Sequence, residues 1–402
     1  MSIARVGASV GLLSLLAACS SSDLKLDHPS EAPTGKIPYA SSTMAEVTIG
    51  SGDTVWYDVS GMDPTGGRTE QVIVDTNGTL LFVGLRANGA TLLSWDNGWS
   101  GTLADIGPFY RANAEYENET VVTQAPFMPG QAGRFPAGSW QIGLKNPTGG
   151  EVTGTVTRLS KTDADLSRGV IDLNFWVFGG SGGTPGIPGL PLRETEGLIP
   201  PIPGLPLGDT TGIIQDQGDA DAIRDLLKIL LADTGITIGT FTTHFVEDTD
   251  AVGISSEQDM LDFYRKAAQA TAGRKDVGIN CFLVPRLPGD ILGMDGTIPG
   301  PGFLHGTRAS GLIAQMGSYG AELDGLSADE TDRLILAVTL AHEIGHYLGL
   351  YHLNEYDGSA HDPLSDTPEC RKADDSDGDD VLIPEECHGK GADYLMFWAL
   401  NE

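Results

Sequence analysis

The run His342-Glu343-Ile344-Gly345-His346-Tyr347-Leu348-Gly349-Leu350-Tyr351-His352 constrains this chain more than any other stretch, because its histidines can meet only if a helix ends at one particular residue. On a helix, residues four apart project from one face, so His342 and His346 can reach a common ion at about 2.0–2.1 Å. On an uninterrupted helix His352 would point almost opposite to His342. The helix therefore has to stop. Gly349 supplies the stop, since glycine takes the left-handed backbone conformation at a helix C-terminus without a Cβ penalty. Three nitrogen ligands leave one coordination position for water, the arrangement of a catalytic zinc ion rather than a closed structural one. Glu343, beside the first ligand, is placed as the base that takes a proton from the metal-activated water.

Residues 1–18 read as an export signal: Arg5 is the only early charge, and the apolar stretch from Val6 to Ala18 is too short to span a bilayer permanently. Leu16-Ala17-Ala18-Cys19 resembles the lipobox of bacterial lipoproteins, in which cleavage precedes the cysteine and the cysteine takes the lipid. That resemblance implies lipidation of Cys19, membrane attachment through the N-terminal lipid, and an outer-membrane or cell-surface location. A plain secretory signal ending at Ala17 and Ala18 is the other reading, and both take the mature chain out of the cytoplasm. A formal charge of −31 argues against nucleic acid, whose phosphates it would repel, and suits a solvated surface. In an oxidising compartment Cys370 and Cys387 are near enough in sequence to close a loop and stabilise it by roughly 3 kcal/mol, whereas Cys281, in an apolar segment, suits a buried thiol.

Residues 19–40, rich in Ser, Pro and Asp, suit a tether. From about 41 to 160, β-prone runs at 45–49, 54–60, 79–86, 139–145 and 151–159 alternate with turn residues, which predicts an all-β sandwich as an accessory domain. Its Trp56, Trp95, Trp99 and Trp140 suit core packing or, alternatively, a glycan- or protein-binding surface. A strand at 171–177 precedes the Gly/Pro-rich segment 179–208, whose two copies of Ile-Pro-Gly-Leu-Pro-Leu exclude helix and central strand and read as a linker or surface loop. Helical periodicity at 219–233 and 256–272, alternating with strands at 236–244 and 277–284, predicts an α/β (α+β) domain over 165–402, a sheet backed by helices. The strand at 311–316 reads either as the sheet edge that pairs with a substrate backbone or as an ordinary edge strand. Ser327 as N-cap, with Glu330 three residues on, predicts that the histidine-bearing helix runs over 328–348.

His342 to His352 resembles the extended zinc signature of the metzincin clan of metallopeptidases, which also has a methionine turn beneath the metal. Here Met396, in Tyr394-Leu395-Met396-Phe397-Trp398, is the matching methionine. Within the clan, Gly349-Leu350-Tyr351-His352 followed by Ser365-Asp366-Thr367-Pro368 and a cysteine-bearing loop resembles the pappalysin family. The resemblance implies a metzincin-like zinc endopeptidase domain: His342, His346 and His352 hold Zn2+, Glu343 is the general base, Met396 packs under the imidazoles without ligating, and the substrate is a protein or peptide. Trp398 departs from the pattern, standing where some relatives carry a tyrosine that ligates zinc or steadies the transition state. The stretch 135–144 resembles the end of β-sandwich modules attached to secreted bacterial peptidases.

Asp375, Asp377 and Asp379, with Glu386 farther on, alternate as Ca2+ ligands do, although Asp380 stands where the usual helix-loop-helix calcium loop needs glycine; a solvated acidic loop is the other reading. His361 and His388 read as surface residues. Two rival functions follow from the same residues. One is a surface lipoprotein whose sandwich binds glycan or protein while its zinc module is inactive, and the other is a processing enzyme confined to one partner.

Overall fold

Strand alternation builds the N-terminal half of the computed structural model, which describes residues 39–399 apart from 65–68, 95–110, 114–119, 126–135, 162–168, 180–212, 247–250, 252–253, 273, 275–277, 290, 303, 318–327 and 363–366. The export signal, Cys19, the tether up to residue 38, Trp95, Trp99, nearly all of the Gly/Pro segment, the Ser327 cap and Ser365-Asp366 lie outside those residues, and the last two tether residues, Tyr39 and Ala40, belong to the first strand. The strands β1 (Tyr39–Ile49), β9 (Val152–Lys161), β3 (Glu70–Thr76), β7 (Thr120–Ala125) and β6 (Arg111–Asn113) form one sheet in that order. A second sheet has the order β2 (Thr54–Met62), β8 (Gly138–Lys145), β4 (Leu81–Ala87), β5 (Ala90–Ser94). All pairings in both sheets are antiparallel. Val47, Val72, Val74, Val121 and Val156 of the first sheet share one core with Val59, Phe82, Trp140, Ile142 and Leu144 of the second. These are the inward-facing halves of alternating strands, packed face to face.

Trp140 lies in that core, its indole N–H donating to Pro136 O at 2.8 Å. Trp56 is half-buried beneath the Arg86 guanidinium, 3.6 Å from the ring centroid. The sequence reading misses β3 for a physical reason. Its outer face is covered too, so Gln71 and Ile73 are buried like Val72 and Val74, and no polar alternation marks the strand.

The C-terminal half is a mixed sheet covered on both faces. Its order is β11 (Ile236–Val246), β10 (Gly169–Phe178), β12 (Ile279–Val284), β14 (Gly311–Gln315), β13 (Gly293–Asp295). The first four strands run parallel and β13 returns antiparallel to β14. Three α-helices flank it among the described residues: α1 (Gln217–Leu230), α2 (Glu257–Ala270) and α3 (Ala328–Leu348). Asp216 caps α1, accepting from the Gly218 and Asp219 amides, and Ser256 caps α2, accepting from the Asp259 amide.

Alternate strand residues serve the two faces. Leu173, Phe175, Cys281, Leu283 and Leu312 pack against Ile223 and Leu227 of α1 and Leu336, Leu340 and Ile344 of α3. Trp176, Phe178, Phe282, Val284 and Ile313 pack against Met260, Phe263 and Tyr264 of α2 on the other side. Every residue of β12 is buried in consequence, as expected of a strand within a two-sided sheet.

One expectation is corrected. The strand within 311–316 is not the edge of the sheet, because the chain first lays down β13, which returns beside β14 and takes the outer position. Beyond α3, Cys370 and Cys387 form a disulfide with Cα atoms 5.5 Å apart, buried with Leu382, Ala392 and Phe397 in a small separate core. Cys281 is free and buried. Among the described residues no helix is long and apolar enough to cross a membrane.

Closing that 17-residue separation restricts the unfolded chain. Replacing both Cys370 and Cys387 by Ser is therefore expected to cost about 3 kcal/mol, measured by denaturant unfolding against the parent.

Candidate metal centre

The end of α3 assembles the centre. Gly349 has φ +113°, its amide donates to His346 O at 2.8 Å, and the Leu350 amide donates to Gly345 O at 2.8 Å. These are the paired bonds of a Schellman turn. The reversal carries His352 back until its Nε2 lies 3.1 Å from Nε2 of both His342 and His346. Nitrogens sharing one tetrahedral ion at about 2.0–2.1 Å stand roughly 3.3–3.4 Å apart, so the set fits a single ion closely.

The other ring nitrogens settle the tautomers. His342 Nδ1 donates to Leu395 O and His346 Nδ1 donates to Leu350 O, each at 2.7 Å. A carbonyl can only accept, so each Nδ1 carries the proton and each Nε2 keeps its lone pair for a metal. Burial and then the facing His352 hold His342 down to about 4 and hold His346 well below the usual range. Both rings are neutral at physiological pH and can ligate. His352 Nδ1 stands 3.5 Å from Glu355 Oε2, a carboxylate placed behind the ring.

The methionine-bearing segment braces the centre from below. A Cβ on Gly345 would sit 2.5 Å from Met396 Sδ, so the sulfur occupies space that only glycine leaves open. Leu395 O accepts from His342, while Met396 O accepts from the amide of Leu353, next to His352, at 3.0 Å. Successive carbonyls thus hold ligands from both sides of the helix end.

Glu343 is buried and points to β13, where a Cβ on Gly293 would lie 2.8 Å from Glu343 Oε1. Burial pushes its carboxyl up to about 8, opposed by the Asp295 amide that donates to it. The Asp295 carboxyl lies on the same side, raised well above the usual range by burial and then by Glu343. Its oxygens face the amides of Gly296 and Thr297, but neither closes a full hydrogen bond. Two buried carboxyls and neutral imidazoles leave the centre poor in charge, and a bound cation would favour the ionised Glu343.

Trp398 serves packing: its indole N–H donates to Leu382 O at 2.8 Å, into the small disulfide core. His388 is exposed as expected, whereas His361 is half-buried, its backbone bridged to Asn354.

In the acidic loop, Asp375, Asp377 and Glu386 bring carboxylate oxygens within 4.8 Å of one another, and Asp379 lies outside that group. The loop's own amides use several of those oxygens, Gly378 and Asp380 donating to Asp375, and Ser376 and Ile383 to Glu386. The Asp379 amide favours ionised Asp377, yet burial and the carboxylates of Asp379, Glu386 and Asp375 leave it raised.

Sequence reasoning brings together the three histidines, Glu343 and Met396, and misses Leu350 O, Leu395 O, Glu355 and Asp295. Backbone carbonyls carry no residue signal, and Asp295 is distant in sequence. Glu355 was the one findable from its spacing of three from His352.

No family model and no curated protein matches the chain. Among solved structures, metalloproteinase-II from Bacteroides fragilis is similar at 14% identity and a TM-score of 0.25, the match covering 51% of this chain and 54% of that one. The chain thus spans about half the length of that protein. At such values the likeness says nothing about this centre, which rests on its own geometry.

Gly349→Ala puts a Cβ on left-handed backbone at the turn that returns His352. The expected cost is about 1–2 kcal/mol of stability with metal affinity lowered on the order of tenfold, read by chelator competition. In the metal-free protein the folded Glu343 carboxyl keeps its proton up to about 8, while the unfolded one loses it near 4.5. Stability should therefore fall as pH rises between those values. Glu343→Gln should stabilise the metal-free chain at pH 8 by a few kcal/mol, on the order of the shift itself, and by nothing near pH 4.5, in thermal melts across pH.

Proposed function

We propose that the chain is a zinc-dependent endopeptidase that hydrolyses peptide bonds in proteins outside the cytoplasm. The observation that carries this reading is the convergence of three imidazole Nε2 atoms, two with their lone pairs freed by carbonyls, beside a buried carboxyl on the same helix. All-nitrogen imidazole ligation suits zinc, and His342, His346 and His352 would hold it. Bound there, it supplies a Lewis acid that polarises the scissile carbonyl and the attacking water.

The chain's own residues do the rest. Glu343 takes the proton of the attacking water and passes it to the leaving amine, a double duty that suits a carboxyl whose pKa lies near the working pH. Leu395 and Leu350 fix ring orientation through their carbonyls. The edge strand β13 offers a template for substrate. Leu292 O and the Gly296 amide bond inward to β14, so the backbone groups of Gly293 and the carbonyl of Asp295 face outward, while the Asp295 amide donates to Glu343. An extended protein segment would add there as a further strand.

In the same proposal Cys19 takes a lipid that anchors the enzyme to the outer membrane or cell surface. The trio Asp375, Asp377 and Glu386 is the set in the acidic loop that would take Ca2+.

The test compares the mature chain with Glu343→Ala for zinc content and for cleavage of a denatured protein mixture. Expected are one zinc per chain in both and cleavage by the parent alone, the variant losing at least a hundredfold in rate. An undiminished rate in Glu343→Ala, or a parent without zinc, would remove the reading.

A further inference from the structure

One side chain of the sandwich makes two hydrogen bonds to the loop that caps α3. Gln71 lies on the outward face of β3, where an open sheet would show a solvated amide, and yet it is only 8% exposed. Its Nε2 donates to Gly300 O at 3.0 Å and its Oε1 accepts from the Gly302 amide at 2.9 Å. Both ends of one carboxamide are spent on one loop, which fixes the loop in position and in orientation.

That loop in turn grips the last turn of α3. The Gly300 amide donates to Tyr347 O at 2.7 Å, and the Tyr347 hydroxyl donates to Pro301 O at 2.8 Å. Tyr347 directly follows the ligand His346. The fit is tight: a Cβ on Gly300 would run into the Tyr347 ring, and one on Gly302 would lie 2.5 Å from Leu159 Cδ2 of β9. Around the clamp, Ile73 and Val122 pack on Leu304, and the Thr120 hydroxyl lies 3.3 Å from that of Thr307.

We propose that Gln71 is a positioning residue of the metal centre, and that the sandwich is a fixed part of the catalytic unit rather than a removable pro-segment or a module presenting this face to glycan. The inference rests on the zinc peptidase reading. Its physical basis is the helix end. The last carbonyls of a helix have no partner within it, and the last turn frays unless something outside supplies donors. Here the turn that could fray carries His346, and the donor to its next carbonyl is held in place from the sandwich.

The test uses the full mature chain. Gln71→Met keeps length and shape and removes both hydrogen bonds to the loop, together with the 3.3 Å bond to Gln124 Oε1 on β7; Tyr347→Phe removes the hydroxyl link; Val72→Ala, on the inward side of the same strand, destabilises the sandwich core without touching the loop. Zinc release to a chelator is timed well below every melting temperature, beside kcat and KM. Expected is release faster on the order of tenfold in Gln71→Met, with the effect non-additive in the double variant with Tyr347→Phe, and unchanged release in Val72→Ala despite its lower melting temperature. Unchanged release in Gln71→Met, or equal acceleration in Val72→Ala, overturns the inference. A parent that holds zinc and cleaves nothing defeats the peptidase reading alone, while zinc release still decides the role of Gln71; a parent without zinc overturns both.

Discussion

The structure depends on how one helix ends. Three consecutive carbonyls at the end of α3 find their donors outside the helix ladder: Gly345 O takes the Leu350 amide, His346 O takes the Gly349 amide, and Tyr347 O takes the Gly300 amide. The first two bonds turn the chain so that His352 meets His342 and His346. The third ties the same turn to a loop held by the sandwich. A helix terminus that would otherwise be a place of fraying is held by three donors from outside its ladder.

The two-sided sheet explains why the centre can be buried and still lie beside an edge strand. Helix α3 needs an apolar face for its own stability, and Leu336, Leu340 and Ile344 provide it against the sheet. The opposite side of its last turns is left for the ligands. Since β13 is a short edge strand lying against Glu343, the centre sits where the sheet runs out of partners. Desolvation there works in two directions. It keeps His342 and His346 neutral and ready for a cation, and it pushes the Glu343 carboxyl up to about 8.

The C-terminal segment shows how packing and chemistry share a short stretch. Leu395 O and Met396 O hold the two sides of the ligand set, while Phe397 lies in the disulfide core and Trp398 packs against it. The disulfide between Cys370 and Cys387 therefore stabilises the same segment from which the carbonyls reach the histidines. Tryptophan at position 398 fits this role, since its indole N–H is spent on Leu382 O.

The sequence by itself determined the elements with strong local signals. The histidine spacing and Gly349 specify where α3 stops, because 3.6-residue periodicity and a left-handed glycine are local physics. Cys370 and Cys387 were legible as a pair from proximity, and β2, β4, β8 and β9 from β-prone runs set between turn residues. Only the tertiary structure decided that β13 and not β14 is the edge, since the order of strands depends on how the chain returns and not on the residues of either strand. It alone revealed β3 as a strand buried on both faces, because Gln71 and Ile73 owe their burial to the other half of the molecule. The carbonyls of Leu350 and Leu395, and Asp295 beside Glu343, belong to the same class. A backbone group has no letter of its own, and a carboxyl far along the chain becomes part of a centre only when the sheet brings it there.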